Sequence, residues 1–283
     1  MLNNTPKRVF TVEETKTGEK LYEVSVLLKD VKGAVAEVAK HFADSNVNLK
    51  TGSLFYMPGK EGIGCWTTFI DVSKCTKTIA ELERELQLLD VVLDVKFSEP
   101  KPAPYEVRHF PILHGDERAI IMPIELFGEM LDAVEKILSP SGFAAVFYDV
   151  GKKTGDFIIK KLEARYKLQG AELVEALGQA VKALGFGVPE IKFIDFQKLS
   201  GTIVIRDCME ALARKKKHYK VCHWSRGFMA GAFSHVFGKP VDVVENKCLA
   251  FEDEYCEFQI KPQTPLEDIK IPSTSTVSVR SRK

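Results

Sequence analysis

Apolar residues recur along this chain with two periods, and each change of period predicts where one element ends and another begins. Residues 21–28, LYEVSVLL, read as a strand. The turn Asp30-Val-Lys-Gly33 leads into a helix with Val35, Val38 and Phe42 on its apolar face. Residues 48–57 read as a second strand, Pro58-Gly59-Lys60-Glu61-Gly62 as a turn, and residues 63–72 as the hairpin partner. Ile79, Leu82, Leu86 and Leu89 recur at three- and four-residue intervals, which predicts an amphipathic helix, and residues 91–97 close the segment as a fourth strand. The order is βαββαβ, a split-βαβ, ferredoxin-like arrangement.

Residues 98–104, SEPKPAP, carry three prolines in seven positions and predict a stiff linker at 99–106. Beyond it, residues 109–122 read as a short hairpin turning at His114-Gly115-Asp116. Pro123 suits the first turn of a helix running to Leu138, which Ser139-Pro-Ser-Gly142 stops. Residues 143–150 are apolar and read as a strand, although a buried helix fits the same run. Residues 151–166 and 171–184 read as helices, and 191–196 and 202–206 as strands joined at Leu199-Ser200-Gly201. After Cys222 a helical stretch carries Trp224, Phe228, Met229, Phe233, Val236 and Phe237, with Gly227 and Gly231 four apart, a stripe that admits another backbone. Gly238-Lys239-Pro240 ends it, and residues 241–250 and 255–260 read as strands around the acidic turn Glu252-Asp253-Glu254. The layout expected is an α+β chain of two domains. A flexible N-terminus (1–19), a first domain (20–98), the linker, a second domain (107–261) and a disordered polar tail (262–283) follow in order.

Composition narrows the function classes. The chain of 283 residues is 45% hydrophobic and 28% charged, the profile of a globular protein. No apolar run reaches the roughly 18 residues a membrane span needs, and the first twenty residues hold no apolar secretory core, so a cytoplasmic protein is expected. Forty basic and 39 acidic residues leave a net charge of +1, which gives no drive toward direct nucleic-acid binding. The basic runs at 214–220 (RKKKHYK) and 280–283 read as a solvated loop and tail. Gly151-Lys-Lys-Thr-Gly155 lacks phosphate-loop spacing, and no nucleophile elbow or dinucleotide fingerprint is present. His223 and His235 have no acid partner at a helpful spacing and read as structural.

Six cysteines in such a chain point to metal or burial before disulfides. Cys65, Cys75 and Cys208 are scattered and read as small buried hydrophobes. Cys222, Cys248 and Cys256 crowd together, and a hairpin at the acidic turn places Cys248 and Cys256 opposite one another. Glu245 precedes Cys248 by three residues, an offset that sends the two to opposite faces of a flat strand. A bulge near Asn246-Lys247 is therefore required if both bind one ion. Three thiolates and a carboxylate would leave a formal charge of −2 on a zinc site, to be offset by surrounding donors. Four protein ligands leave no open position, so the site expected is structural, and three buried free cysteines with a surface glutamate are the alternative.

Two resemblances sharpen these expectations. Residues 21–97, with Asp30 and Gly33 in the first strand-to-helix loop and Asn46-Val47-Asn48 leading into strand two, resemble an ACT domain. That resemblance implies a regulatory module binding an amino-acid-like effector through Asp30, Gly33 and Asn48, or serving dimerisation. The pattern Cys222-x22-Glu245-x2-Cys248-x7-Cys256, together with Trp224, Gly227, Gly231 and Phe258, resembles the metal site of the vinyl-4-reductase-type domain. That domain is found in bacterial phenol-responsive activators and archaeal hydrocarbon-binding proteins. The resemblance implies a mixed α/β fold related to transport-particle tethering subunits, with a zinc-bound hairpin and an adjoining cavity for an apolar or aromatic molecule. Phe147, Phe193, Trp224, Phe228 and Phe233 are the candidate lining. Phenol sensors use a histidine and a tryptophan as polar handles; residues 173–202 hold no histidine, so a more apolar or longer ligand is expected.

The function expected is a non-enzymatic ligand sensor, a homodimer with structural Zn²⁺, whose output a partner protein reads. A tethering-type scaffold is one alternative, favoured by a large exposed apolar patch in place of a cavity. A reductase is another, and it would need a cofactor for which no binding fingerprint is visible.

Overall fold

A computed structural model describes residues 17–56, 60–100, 105, 111–114, 117–217 and 219–263. The Pro58-Gly59 and Gly115-Asp116 turns and nearly all of the expected linker and flexible ends lie outside these residues. The chain divides into two compact units between Ile120 and Ile121, each built around its own core.

The first unit runs β1 (Leu21–Lys29), α1 (Ala34–Asp44), β2 (Asn48–Tyr56), β3 (Ile63–Asp71), α2 (Ile79–Gln87) and β4 (Val92–Ser98). Its antiparallel sheet has the order β2-β3-β1-β4. Gly33 opens α1 at φ +89°, a left-handed conformation that a residue with a Cβ enters at a cost. Thr78 and Glu81 form a reciprocal capping box that starts α2. Val38 and Phe42 of α1 and Leu82 and Leu86 of α2 are fully buried with Val26 and Ile70, each such side chain contributing about 1.5–3 kcal/mol by leaving water. A two-residue ladder, β5 (Leu113–His114) with β6 (Glu117–Arg118), ends the unit.

The second unit runs α3 (Ile124–Tyr166), α4 (Gly170–Ala183), β7 (Val188–Asp195), β8 (Ser200–Arg206), α5 (Met209–Ala213), α6 (His223–Phe237), β9 (Val241–Lys247) and β10 (Cys256–Pro262). The sheet is antiparallel with order β7-β8-β10-β9, so the molecule mixes helices with two antiparallel sheets. The expected stop at Ser139 is real but brief. Ser139 leaves helical geometry (φ 65°, ψ 160°), and Pro140 restarts the helix in a first turn that needs no N–H. Residues 143–150 are therefore helix, not strand. Phe143, Gly151, Gly155 and Ile159 continue one buried face at multiples of four, while Val146 and Val150 lie on the exposed side. The apolar run looked strand-like because this exposed side is also apolar.

Glycines set the contact between α3 and α6. A Cβ on Gly155 would lie 2.0 Å from the Phe228 carbonyl oxygen, and one on Gly231 would lie 2.0 Å from that of Lys152. The two backbones touch where side chains would hold other helices apart. The basic run at 214–220 is not a solvated loop throughout. Arg214 is only 1% exposed, donating to Asp132 Oδ1 (3.1 Å) and Glu135 Oε2 (2.6 Å) of α3 while its guanidinium lies over the Phe143 ring. Lys217 and Tyr219 donate to the same Glu135 carboxylate, at 2.8 and 2.7 Å.

Candidate metal centre and adjoining cavity

Alternation along β9 turns Val241, Val243 and Glu245 to the buried face, as it does Cys256, Phe258 and Ile260 along β10. Glu245 pairs with Phe258 but Lys247 with Glu257, so Asn246 is the extra residue of a bulge. That one residue shifts the pleat and brings Cys248 to the same face as Glu245. Cys222 occupies the N-cap of α6. Cys222, Glu245, Cys248 and Cys256 are all buried, and one ligand atom from each lies within 4.8 Å of the others. Cys222 Sγ is 3.8 Å from Cys248 Sγ and 3.7 Å from Cys256 Sγ, and all the cysteines are free thiols.

The electrostatics of this group suit a cation. Burial, then the neighbouring Cys248 sulfur, pushes the Glu245 carboxyl up to about 9. Its Oε2 accepts from the Cys222 N–H at 3.3 Å, whereas its Oε1 is buried with no hydrogen-bond partner. An orphaned buried carboxylate oxygen costs about 1–3 kcal/mol or more, which a cation on that oxygen removes. Three thiols and a carboxylate so arranged fit the donor set of a closed tetrahedral zinc site. Donors also surround the ligands. Leu249 N–H points to Cys256 Sγ at 3.4 Å, and the Val221 backbone hydrogen-bonds Cys248.

Two buried groups beside the cluster carry no signal in the sequence pattern. Cys208, at the N-cap of α5, lies 3.8 Å from Cys222 Sγ and 3.7 Å from Ser225 Oγ. It is more than a small hydrophobe. Glu210, fully buried, accepts from Trp224 N–H (3.0 Å), Ser225 N–H (2.8 Å) and Ser225 Oγ (2.8 Å), thereby capping the first turn of α6. Burial, opposed by these hydrogen bonds, pushes its carboxyl up to about 7. His223 packs edge-on against Phe143, and burial followed by Arg226 lowers it to about 4, a neutral ring outside the cluster. His235 does have an acid partner, Glu163 of α3 at 2.8 Å, reached across the helix pair and so hidden from sequence spacing.

An apolar cavity adjoins the cluster. It lies among α4 (Val174, Leu177, Val181), β7–β8 (Ile191, Ile203) and α6, where Trp224, Phe228 and Phe233 line it as expected. Phe147 and Phe193 do not. Phe147 stacks on Phe143 at 4.3 Å. A bulge in β7 pairs Ile191 with Ile203 but Phe193 with Thr202, turning Phe193 to the opposite face, 51% exposed. Cys208 and Ser225 supply sulfur and oxygen to the wall. The volume is about 50 Å³. That is well below the roughly 150 Å³ of an engineered core cavity that holds benzene, so an occupant of that size requires the wall to give.

In the first unit, Asp30 and Gly33 line a cleft of about 510 Å³ with Leu54 and Phe55. Asn48 is not part of it. Asn48 pairs with Asp71, whereas the cleft end of β2 pairs near Gly64, on the order of 25 Å away along the strand. Asn46 instead takes a left-handed conformation and donates to the Lys74 carbonyl at 3.0 Å.

The vinyl-4-reductase domain family matches residues 202–262, which include all four clustered residues. The uncharacterized protein MJ0150 of Methanocaldococcus jannaschii is 26% identical over 155 residues, 54% of this chain and 84% of that protein. Among solved structures, the phenol-responsive sensory domain of the transcription activator PoxR, with phenol, is 16% identical. It covers 52% of this chain and 78% of its own, with a TM-score of 0.48. A vinyl-4-reductase family protein from Methanocaldococcus jannaschii is 19% identical, covering 52% of this chain and 100% of its own, with a TM-score of 0.33. No helix among the described residues is long and apolar enough to cross a membrane.

Proposed function

We propose that the second unit is a small-molecule-binding sensor domain of vinyl-4-reductase type, held together by one structural Zn²⁺ on Cys222, Glu245, Cys248 and Cys256. The observation that carries the metal is the gathering of four buried donors from three separate elements within 4.8 Å, one with an orphaned oxygen. Zinc there would tie the β9–β10 hairpin to the start of α6, the helix that supplies Trp224, Phe228 and Phe233 to the cavity. The ligand class follows from the wall: apolar side chains with one thiol and one hydroxyl, the hydroxyl proton already donated to Glu210. Such a wall favours a hydrocarbon-like or aromatic molecule with few polar groups. The role is binding and regulation without catalysis. The ACT-like first unit would take a second, amino-acid-like metabolite at the Asp30–Gly33 cleft, in a homodimer whose state a partner protein reads. Tethering and reductase roles draw on no comparable observation.

Elemental analysis of protein purified without added metal should find close to one zinc per chain. A Cys248–Cys256 or Cys222–Cys248 disulfide in its place removes the proposal. Thermal-shift measurements with toluene should raise the melting midpoint, and a flat response over the soluble range counts against the cavity as a ligand site.

A further inference from the structure

Each of the four cluster residues receives a hydrogen bond from outside the donor set or from a ligand's backbone, and one of these bonds differs in kind. Backbone N–H groups serve Glu245 (from Cys222), Cys256 (from Leu249) and Cys248 (from Val221). Cys222 Sγ instead meets the thiol of Cys208 at 3.8 Å. The proton of that thiol has two acceptors within reach, Cys222 Sγ and Ser225 Oγ at 3.7 Å. Ser225 has already given its own proton to Glu210, so between Cys208 and Ser225 the thiol is the donor. A thiolate bound to a dication is the stronger acceptor, because charge-assisted hydrogen bonds exceed neutral ones. Cys208 also forms part of the cavity wall, beside Trp224, Ser225 and Phe228. Its sulfur therefore touches the metal cluster and the apolar cavity at once.

We propose that Cys208 is a positioning residue for the metal, donating its S–H to the Cys222 thiolate, and that this thiol links cavity occupancy to metal retention. The proposal rests on the zinc site and ligand cavity proposed above. An apolar occupant packed against the Cys208 sulfur leaves the side chain no room to swing toward Ser225, which keeps the S–H on Cys222. Occupant and zinc then strengthen each other's binding by the same factor, as linkage requires.

The test compares wild type with Cys208→Ala and Cys208→Ser. Zinc affinity is measured by competition with a colorimetric chelator, and the thiolate-to-cobalt absorption band is recorded after cobalt substitution. Loss of the donor in Cys208→Ala should weaken zinc by about tenfold, as outer hydrogen bonds to metal ligands generally do, and shift the cobalt band. Cys208→Ser, which keeps a hydroxyl donor, should recover most of both. Saturating toluene should tighten zinc severalfold in the wild type and leave Cys208→Ala unchanged. Should the alanine variant fail to fold, Cys208→Val, closer in volume and without a donor, takes its place. Wild-type affinity and an unshifted band in the donor-free variant overturn the positioning role, and a wild-type zinc affinity indifferent to toluene overturns the linkage. A wild type that holds no zinc by elemental analysis fails the metal site itself, which separates the two proposals.

Discussion

Glu135 carries three hydrogen bonds from groups that are cationic or phenolic, and its buried partner Arg214 depends on it. Burial alone would push this carboxyl up, but the hydrogen bonds from Lys217, Tyr219 and Arg214 outweigh burial and hold it down at about 2. A carboxylate depressed from 4.5 to about 2 contributes stability that is fully present above pH 4.5 and lost as the pH falls toward 2. Glu135→Gln should cost about 3 kcal/mol at pH 7, because it strands Arg214 in a buried site. Urea unfolding at a series of pH values should also show a shallower loss of stability below pH 4.5 in the variant than in the wild type. The metal ligands make a simpler prediction: Cys248→Ser should leave the purified protein with well under half of the wild-type zinc, measured by elemental analysis. These residues differ in how far sequence reveals them. Cys222, Glu245, Cys248 and Cys256 were legible because few other chemistries call for three thiols and a carboxylate so close together. Cys208, Glu210 and Glu135 were not, since each meets its partners only after a loop or a helix pair has folded back.

Elements bring these residues together through two small devices, a bulge and a glycine contact. Deleting Asn246 would restore regular pairing between β9 and β10, putting Glu245 and Cys248 on opposite faces. The deletion variant should fold its sheet yet bind zinc at least tenfold more weakly in chelator competition, as the loss of one ligand demands. In an exposed helix, Gly→Ala is worth up to about 1 kcal/mol of added stability. At Gly155 the sign reverses. The new methyl would sit 2.0 Å from the Phe228 carbonyl oxygen, backbone that can retreat only if α3 and α6 part. Gly155→Ala should therefore destabilise by about 2 kcal/mol, within the usual range for overpacking, as read from denaturant midpoints. Element order in the first unit was legible because its strands and helices keep clean periods of two and near 3.6. The second unit was harder. Apolar residues on both sides of α3 erased the helical period over 143–150, and a single extra residue at Lys192 moved Phe193 off the cavity face. Bulges change a face without leaving a compositional mark.

At the scale of the whole molecule, the division between Ile120 and Ile121 separates two hydrophobic cores, and the metal cluster belongs wholly to the second. A ligand that binds only one folded unit stabilises only that unit, by RT ln(1 + [L]/Kd). Chelation should thus lower the unfolding midpoint of the second unit and leave the first where it was. The two tryptophans make the test direct, because Trp66 is in the first core and Trp224 lines the cavity of the second. With Trp66→Phe, fluorescence follows the second unit alone; with Trp224→Phe, it follows the first. The expected result is a midpoint that drops by several degrees on chelation in the Trp66→Phe protein and stays fixed in the Trp224→Phe protein. Equal shifts in both would mean that the units unfold as one body. No shift in either, with zinc shown to be removed, would mean that the four buried donors do not staple the fold. Such a null result would also weaken the sensor reading, because the cavity wall and the metal ligands share α6 and should lose order together.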